Sequence, residues 1–195
     1  MKDLFGKALL DFQNGNYSED IVTSTNISDE DVLPLPYLFR KFKDMPKLEQ
    51  KALKLCKGSV LDVGCGTGYS SAVMSRFASL VIALEENDDL AAFAAKTLEA
   101  LDYDNVAVVK GKLNEGYASE GPYDIVFVNG AVETIPSALF EQVKDGGKLI
   151  VVEGQGNSAI ARQYDRRGDD ISGRNLFNCA VKPLPGFERK AEFVL

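Results

Sequence analysis

Apolar positions along this chain change their period near residue 58. Before it, Leu4, Phe5, Ala8, Leu9 and Phe12 recur at helical spacing, and Asn14-Gly15-Asn16 ends that run with turn residues. Residues 17–31 are polar and acidic and read as loop. Pro34 and Pro36 punctuate the chain, a short helix is expected over 37–42, and Pro46 suits the first turn of another over 47–56. Leu48, Ala52, Leu53 and Leu55 give that last helix an apolar side, and Gly58 is a natural stop. From Ser59 onward, short apolar runs alternate with helical patterns: strands are expected over 60–63, 80–84, 105–109, 123–128 and 148–152, and helices over 69–77, 88–101 and 136–143. Asp145-Gly146-Gly147 reads as the turn into the fifth strand. Three later runs, 159–166, 175–181 and 190–194, read as antiparallel strands, with Arg167-Gly168-Asp169-Asp170 as a hairpin turn between the first two. The pattern predicts an α/β chain: a helical appendage over 1–57, then, over 58–195, a doubly wound, mostly parallel sheet with antiparallel strands at its C-terminus.

One stretch organises the second part. In Val60-Leu61-Asp62-Val63-Gly64-Cys65-Gly66-Thr67-Gly68-Tyr69-Ser70, a buried strand carrying a single acid runs into three alternating glycines and then a helix start. Glycine admits positive φ and lets a ligand approach where a Cβ would clash, so this is a Rossmann-like site for a nucleotide-like ligand. The spacing is G-x-G-x-G; the dinucleotide fingerprint G-x-G-x-x-G would need its third glycine at Tyr69. Glu85 ends the next strand, about twenty residues past the turn, where a carboxylate can accept from ribose hydroxyls. Its alternative is a solvated acid capping the following helix within Glu85-Glu86-Asn87-Asp88-Asp89. Ligands bind beyond the carboxyl ends of such strands, which adds the Lys110-Gly111-Lys112-Leu113 loop and Asn129-Gly130 as candidate lining. Asn-Gly is also a turn-former, and Asp124, at the opposite end of its strand, reads as structural.

Composition narrows the chemistry. The chain has 195 residues with 45% apolar and 26% charged, ordinary for one globular domain with an appendage. No apolar run is long enough to cross a bilayer, and the opening Met1-Lys2-Asp3-Leu4-Phe5-Gly6 lacks a secretory pattern. Cys56, Cys65 and Cys179 show no paired or metal-site spacing, which suits free thiols in a reducing cytoplasm. Cys65 reads as a small space-filler in the turn. With no histidine at all, the commonest general base and metal ligand are missing. The net charge of −7 disfavours a nucleic-acid partner; residues 1–57 hold nine basic and nine acidic residues, so the deficit lies wholly in the half with the glycine turn.

The acid-preceded G-x-G-x-G turn resembles motif I of class I S-adenosylmethionine-dependent methyltransferases. From about residue 59 onward, the chain resembles the protein-L-isoaspartate (D-aspartate) O-methyltransferases. The resemblance is carried by Leu61 to Ser70, Ala83-Leu84-Glu85-Glu86, Pro122 to Pro136, Gly146-Gly147-Lys148-Leu149 and Pro183-Leu184-Pro185-Gly186-Phe187. The stretch ending in Ile135-Pro136 is its distinctive part. The resemblance implies S-adenosylmethionine as cofactor and S-adenosylhomocysteine as product. It implies that Gly64, Gly66 and Gly68, with Asp62 and Cys65 in the same motif, hold the amino-acid end, and Glu85 the ribose. Where the family has an acid and glycine near the adenine, this chain has Lys112-Leu113, so backbone groups and apolar contact would hold the base. The family's Thr-Ile-Ser-x-Pro-type segment has no evident counterpart in residues 1–57, whose 30–40 stretch is instead similar to the leader of other small bacterial methyltransferases. That suggests a chimera, natural or engineered.

The expected activity is methyl transfer to a carboxylate of isoaspartyl residues in damaged proteins. An ionised acceptor needs no general base, which suits a chain without histidine. Tyr37, Arg40 and Asn129 are the candidate acceptor contacts; no metal is expected, and nothing in the pattern demands more than a monomer. Two rival readings are a methyltransferase fold that only binds cofactor and a nicotinamide-dependent oxidoreductase.

Overall fold

The computed structural model describes residues 7–8, 11–12, 14–17, 20–25, 28–38, 41–44, 53 and 55–189. The chain divides into two compact units, Met1–Lys51 and Ala52–Leu195. In the first, residues 7–8 and 11–12 are helical. The stretch expected as loop holds an antiparallel pair, β1 (Ile21–Thr25) and β2 (Ser28–Leu33). β1 is almost wholly β-branched, which favours a strand; β2 is too polar to declare itself, and pairing supplies what its composition lacks. Asp20 ties the chain beyond the hairpin, its Oδ1 accepting from the Leu35 N–H at 3.0 Å and the Tyr17 hydroxyl at 2.6 Å. The helix expected over 37–42 is instead α1 (Leu35–Leu38), with a 3-10 turn at Phe42–Asp44. Most of the expected 47–56 helix lies outside the described residues, though Leu53 and Leu55 are helical.

The second unit is built on a seven-stranded sheet: β3 (Ser59–Val63), β4 (Leu80–Glu85), β5 (Val106–Lys110), β6 (Tyr123–Val132), β7 (Val143–Glu153), β8 (Ile160–Arg167) and β9 (Asp170–Asn178). Their order is β5-β4-β3-β6-β7-β8-β9. The first five pair in parallel, and β7–β8 and β8–β9 are antiparallel. Helices α2 (Tyr69–Ser75), α3 (Asp88–Ala100) and α4 (Ser137–Glu141) connect the parallel strands. The chain winds outward from β3 to β5 and then returns to place β6 on the other side of β3, so strand order reverses between β3 and β6. The two faces bury separate apolar clusters, one around Leu61, Val63, Leu84, Val126, Leu149 and Phe187, the other around Cys56, Val60, Met74 and Val81.

Three strands run well beyond the bounds their patterns predict, and β6 continues past 128 to Val132. β7 includes the expected Asp145-Gly146-Gly147 turn, which survives as an irregularity with Gly146 at φ 76°. β9 begins at Asp170 rather than at 175, directly after a tight Gly168-Asp169 turn, because pairing with β8 extends a polar stretch that alternation does not mark. The strand expected over 190–194 lies outside the described residues.

Asp124 fastens the amino-terminal end of the sheet. Its Oδ2 accepts from the Ser59 N–H at 2.7 Å, the Ser59 hydroxyl at 3.1 Å and the Lys144 ammonium at 2.7 Å. Gly58, at φ 68°, leaves the room: a Cβ there would collide with the Asp124 carboxylate. Burial alone would raise the Asp124 pKa, but Lys144 and Ser59 together outweigh it and hold the carboxyl below its usual range. A depressed folded-state pKa gives stability that is present above the unfolded value, near ~3.9, and lost as pH falls through the folded one. Asp124→Asn should therefore cost about 1–2 kcal/mol at neutral pH, discounted for the half-exposed ion pair, and the difference from wild type should shrink in acid; denaturant titration across pH checks both.

Candidate cofactor crevice

At the carboxyl end of β3 the chain enters the glycine turn. The Gly64 and Cys65 N–H groups both donate to the Leu84 carbonyl, at 2.9 and 3.1 Å, which pins the turn to β4. Gly68 closes it at φ 87° as the N-cap of α2. No other residue fits there: a Cβ would stand 2.9 Å from Leu98 Cδ1 and 3.3 Å from Ala94 Cβ, both buried residues of α3. The turn is thus the seat on which α3 packs. α3 is itself started by Asn87, whose side chain accepts from the Leu90 N–H at 3.0 Å.

Beneath the turn lies Asp62, fully buried within β3. Its Oδ2 accepts from two hydroxyls in the first turn of α2, Ser70 at 2.6 Å and Ser71 at 2.5 Å. Its Oδ1 is buried with no partner. Burial pushes the Asp62 pKa up to about 6; the two serine hydroxyls pull it down and the nearby Glu85 charge adds to the rise. Ser70 is held in turn by Asn129, whose amide donates to its hydroxyl at 2.9 Å. A hydrogen-bonded chain therefore runs from the end of β6, through α2, to the acid of β3. In the sequence these serines show only as two adjacent hydroxyl residues opening a helix just after a strand with a lone acid.

Glu85, at the end of β4, is buried despite its charge. Its Oε2 accepts from the Gly66 N–H at 2.8 Å, and its Oε1 from the Glu86 and Asn87 N–H groups, both at 3.0 Å. It is no solvated loop acid. An ionised carboxylate has about four acceptor sites, so Glu85 keeps capacity for one further donor.

The other expected site residues fall in different places. Cys65 is buried, and burial first, then the Asp62 and Glu85 charges, push its thiol up to about 12, so it packs as a thiol. Lys112 is exposed and paired with Glu115 at 2.9 Å. Leu113 is 2% exposed within the main apolar cluster, so a ligand contact in that loop falls to backbone. Tyr37 lies on α1 in the other unit, and Arg40 lies outside the described residues. Asn129-Gly130 is not a turn: β6 runs on to Val132. It sits in a bulge, where the residues from Phe127 to Ala131 run against only Ile150 to Val152 of β7. Such a bulge re-aims side chains, and here it turns Asn129 toward Ser70.

One more element meets the crevice. Beyond β9, residues 182–187 cross the end of β6: the Ala131 N–H donates to the Lys182 carbonyl at 2.9 Å, and the Leu184 N–H to the Ala131 carbonyl at 2.9 Å. Phe187, buried in the main core, anchors the far end, with its carbonyl accepting from the Thr134 N–H.

The protein-L-isoaspartate(D-aspartate) O-methyltransferase family profile matches residues 24–188, which carries the likeness well upstream of residue 59. The chain is 31% identical over 157 residues to a protein-L-isoaspartate O-methyltransferase of Koribacter versatilis, covering 78% of this chain and 71% of that one. It is 30% identical over 168 residues to one from Hahella chejuensis, covering 84% and 75%. A solved protein-L-isoaspartate O-methyltransferase superposes with a TM-score of 0.66 at 26% identity, over 90% of this chain but 55% of the other. A Plasmodium falciparum structure, a candidate enzyme of the same kind in complex with S-adenosyl-L-homocysteine, shares the fold with a TM-score of 0.59 at 18% identity, over 85% of this chain and 80% of that one. With this profile match and these relatives, the chain belongs to the protein-L-isoaspartate(D-aspartate) O-methyltransferase family of class I, S-adenosylmethionine-dependent methyltransferases.

Proposed function

We propose that this chain binds S-adenosylmethionine in the crevice above β4, β3 and β6 and transfers its methyl group to the carboxylate of isoaspartyl residues in proteins or peptides. The observation that carries the reading is the unpartnered, buried Oδ1 of Asp62 beneath a glycine turn whose Gly66 is bonded to Glu85. A cofactor with a ribose and a cationic amino-acid arm fits what these residues lack. Glu85 has an acceptor site left for a ribose hydroxyl. A Cβ at Gly66 would meet nothing within 4 Å, so the turn is open to a ligand there. Asp62 offers negative charge to the ammonium end, and Gly66, with Cys65 as filler beside it, lets the arm lie against open backbone, whereas the space beside Gly64 and Gly68 is taken by Leu184 and Leu98. The backbone at Lys112-Leu113 borders the adenine position, at the end of β5. Asn129 serves the site by holding Ser70 rather than by touching the acceptor.

When bound, S-adenosylmethionine supplies an already activated methyl group. The protein then has to align the acceptor with it and exclude water, and a carboxylate ionised at neutral pH asks for no proton transfer. Cys65 and Cys179 are free thiols, in keeping with a cytoplasmic enzyme.

The deciding assay follows S-adenosylhomocysteine release with an isoaspartyl peptide and its normal aspartyl twin. Turnover on the isoaspartyl peptide alone is expected; tight cofactor binding with no turnover on either would overturn the acceptor assignment and leave the cofactor site standing. Glu85→Gln should weaken S-adenosylhomocysteine binding about tenfold or more, measured by calorimetry, because one amide oxygen cannot accept from the Gly66, Glu86 and Asn87 N–H groups and a ribose hydroxyl together, and the amide NH2 sets a donor against donors.

Asp62 makes affinity pH-dependent. Its raised folded-state pKa favours the fold while the group is protonated, a contribution fully present below ~3.9 and lost as pH rises through about 6. A bound ammonium favours the ionised form instead. Affinity for S-adenosylhomocysteine should therefore tighten as pH rises from about 5 to about 7, and Asp62→Asn should bind more weakly with a flat profile over that range.

A further inference from the structure

The sheet order assigns places along the crevice. With the ribose on Glu85 at the end of β4, the arm of a bound cofactor would be held by the next strand ends in the sheet order, Gly64 after β3 and Gly130 on β6. One side chain lies against both glycines, and it comes from far along the chain. A Cβ at Gly64 would stand 2.9 Å from Leu184 Cδ2, and a Cβ at Gly130 would stand 2.5 Å from Leu184 Cγ and 3.1 Å from the Lys182 carbonyl. The two glycines flank the point where strand order reverses, and the side chains they lack leave the volume that Leu184 occupies. Leu184 is only partly buried, so part of its surface stays open. Its backbone is fixed by Ala131 on one side and, through Gly186 and Phe187, by Asn114 and Thr134 on the other.

We infer that Leu184 is a binding residue for the amino-acid arm of the cofactor, an apolar wall set between Gly64 and Gly130 by the 182–187 strap. This rests on the cofactor reading above. The role deepens that reading by naming the contact that separates ligands with the arm from ligands without it.

The test compares S-adenosylhomocysteine with methylthioadenosine, which keeps the adenosine and sulfur but has no amino-acid arm, by calorimetry on the full chain. Leu184→Ala should weaken S-adenosylhomocysteine about tenfold and leave methylthioadenosine within about twofold, while Leu184→Met restores near wild-type binding of both. Gly130→Ala should weaken S-adenosylhomocysteine by displacing Leu184, and adding Leu184→Ala to it should cost little more, since both changes act on one contact. Equal loss for the two ligands in Leu184→Ala, with an unchanged melting temperature, would overturn the inference, as would strictly additive losses in the double variant. Should Leu184→Ala fail to fold, Leu184→Met and Leu184→Val carry the same comparison, and an unchanged ratio between the two ligands in both overturns it. Failure of the wild-type chain to bind either ligand would instead sink the cofactor reading itself.

Discussion

A carboxylate sealed inside a parallel sheet is the constraint on which this fold's working end depends. Asp62 sits in a strand covered on both faces, where an ionised group loses its hydration and must find donors in the protein. Two serine hydroxyls, offered by the first turn of α2, supply one oxygen and leave the other without a partner. For those serines to reach it, α2 must start immediately after the glycine turn and at one angle, which Gly68 provides in a left-handed conformation closed to other residues by Ala94 and Leu98. The packing of α3 and the hydrogen bonds of the buried acid in β3 thus depend on the same turn.

Asp124 shows that position, not residue type, sets such a group's behaviour. Both aspartates lie in central, adjacent parallel strands. Asp124, at the amino-terminal end, reaches an ammonium and a backbone N–H and has its pKa lowered. Asp62, near the carboxyl end, has hydroxyls alone and a second acid close by, and its pKa is raised. One end of the sheet is electrostatically satisfied and serves as a fastening. The opposite end keeps a buried carboxylate oxygen without a partner, and with it an unmet demand for positive charge.

Much of this was legible because it is local. The strands from Val60 to Val152 are short, predominantly apolar runs, as strands of a parallel sheet with covered faces tend to be, and the glycine turn carries its own spacing. Glu85 could be placed because its distance from the turn is fixed by one helix and one strand. The misreadings fall where pairing rather than composition decides. β2 and the first half of β9 are polar, and only a neighbouring strand makes them strands. Leu113 looked like loop lining and proved to be core, because a single apolar residue in a polar loop gives no sign of which way it turns.

Gly130 is the sharper case. Beside Asn129 it has the chemistry of a turn, and sequence offers no reason to set that aside. In the fold it is a strand residue in a bulge, at a backbone conformation that does not itself demand glycine. What demands it is space, taken by a leucine more than fifty residues later. A glycine kept for its conformation can be recognised from its neighbours in sequence; a glycine kept for close approach is explained only by the partner that fills the gap. Leu184 and Gly130 are unremarkable apart, and each acquires a reason only when the strap laid across β6 brings them together.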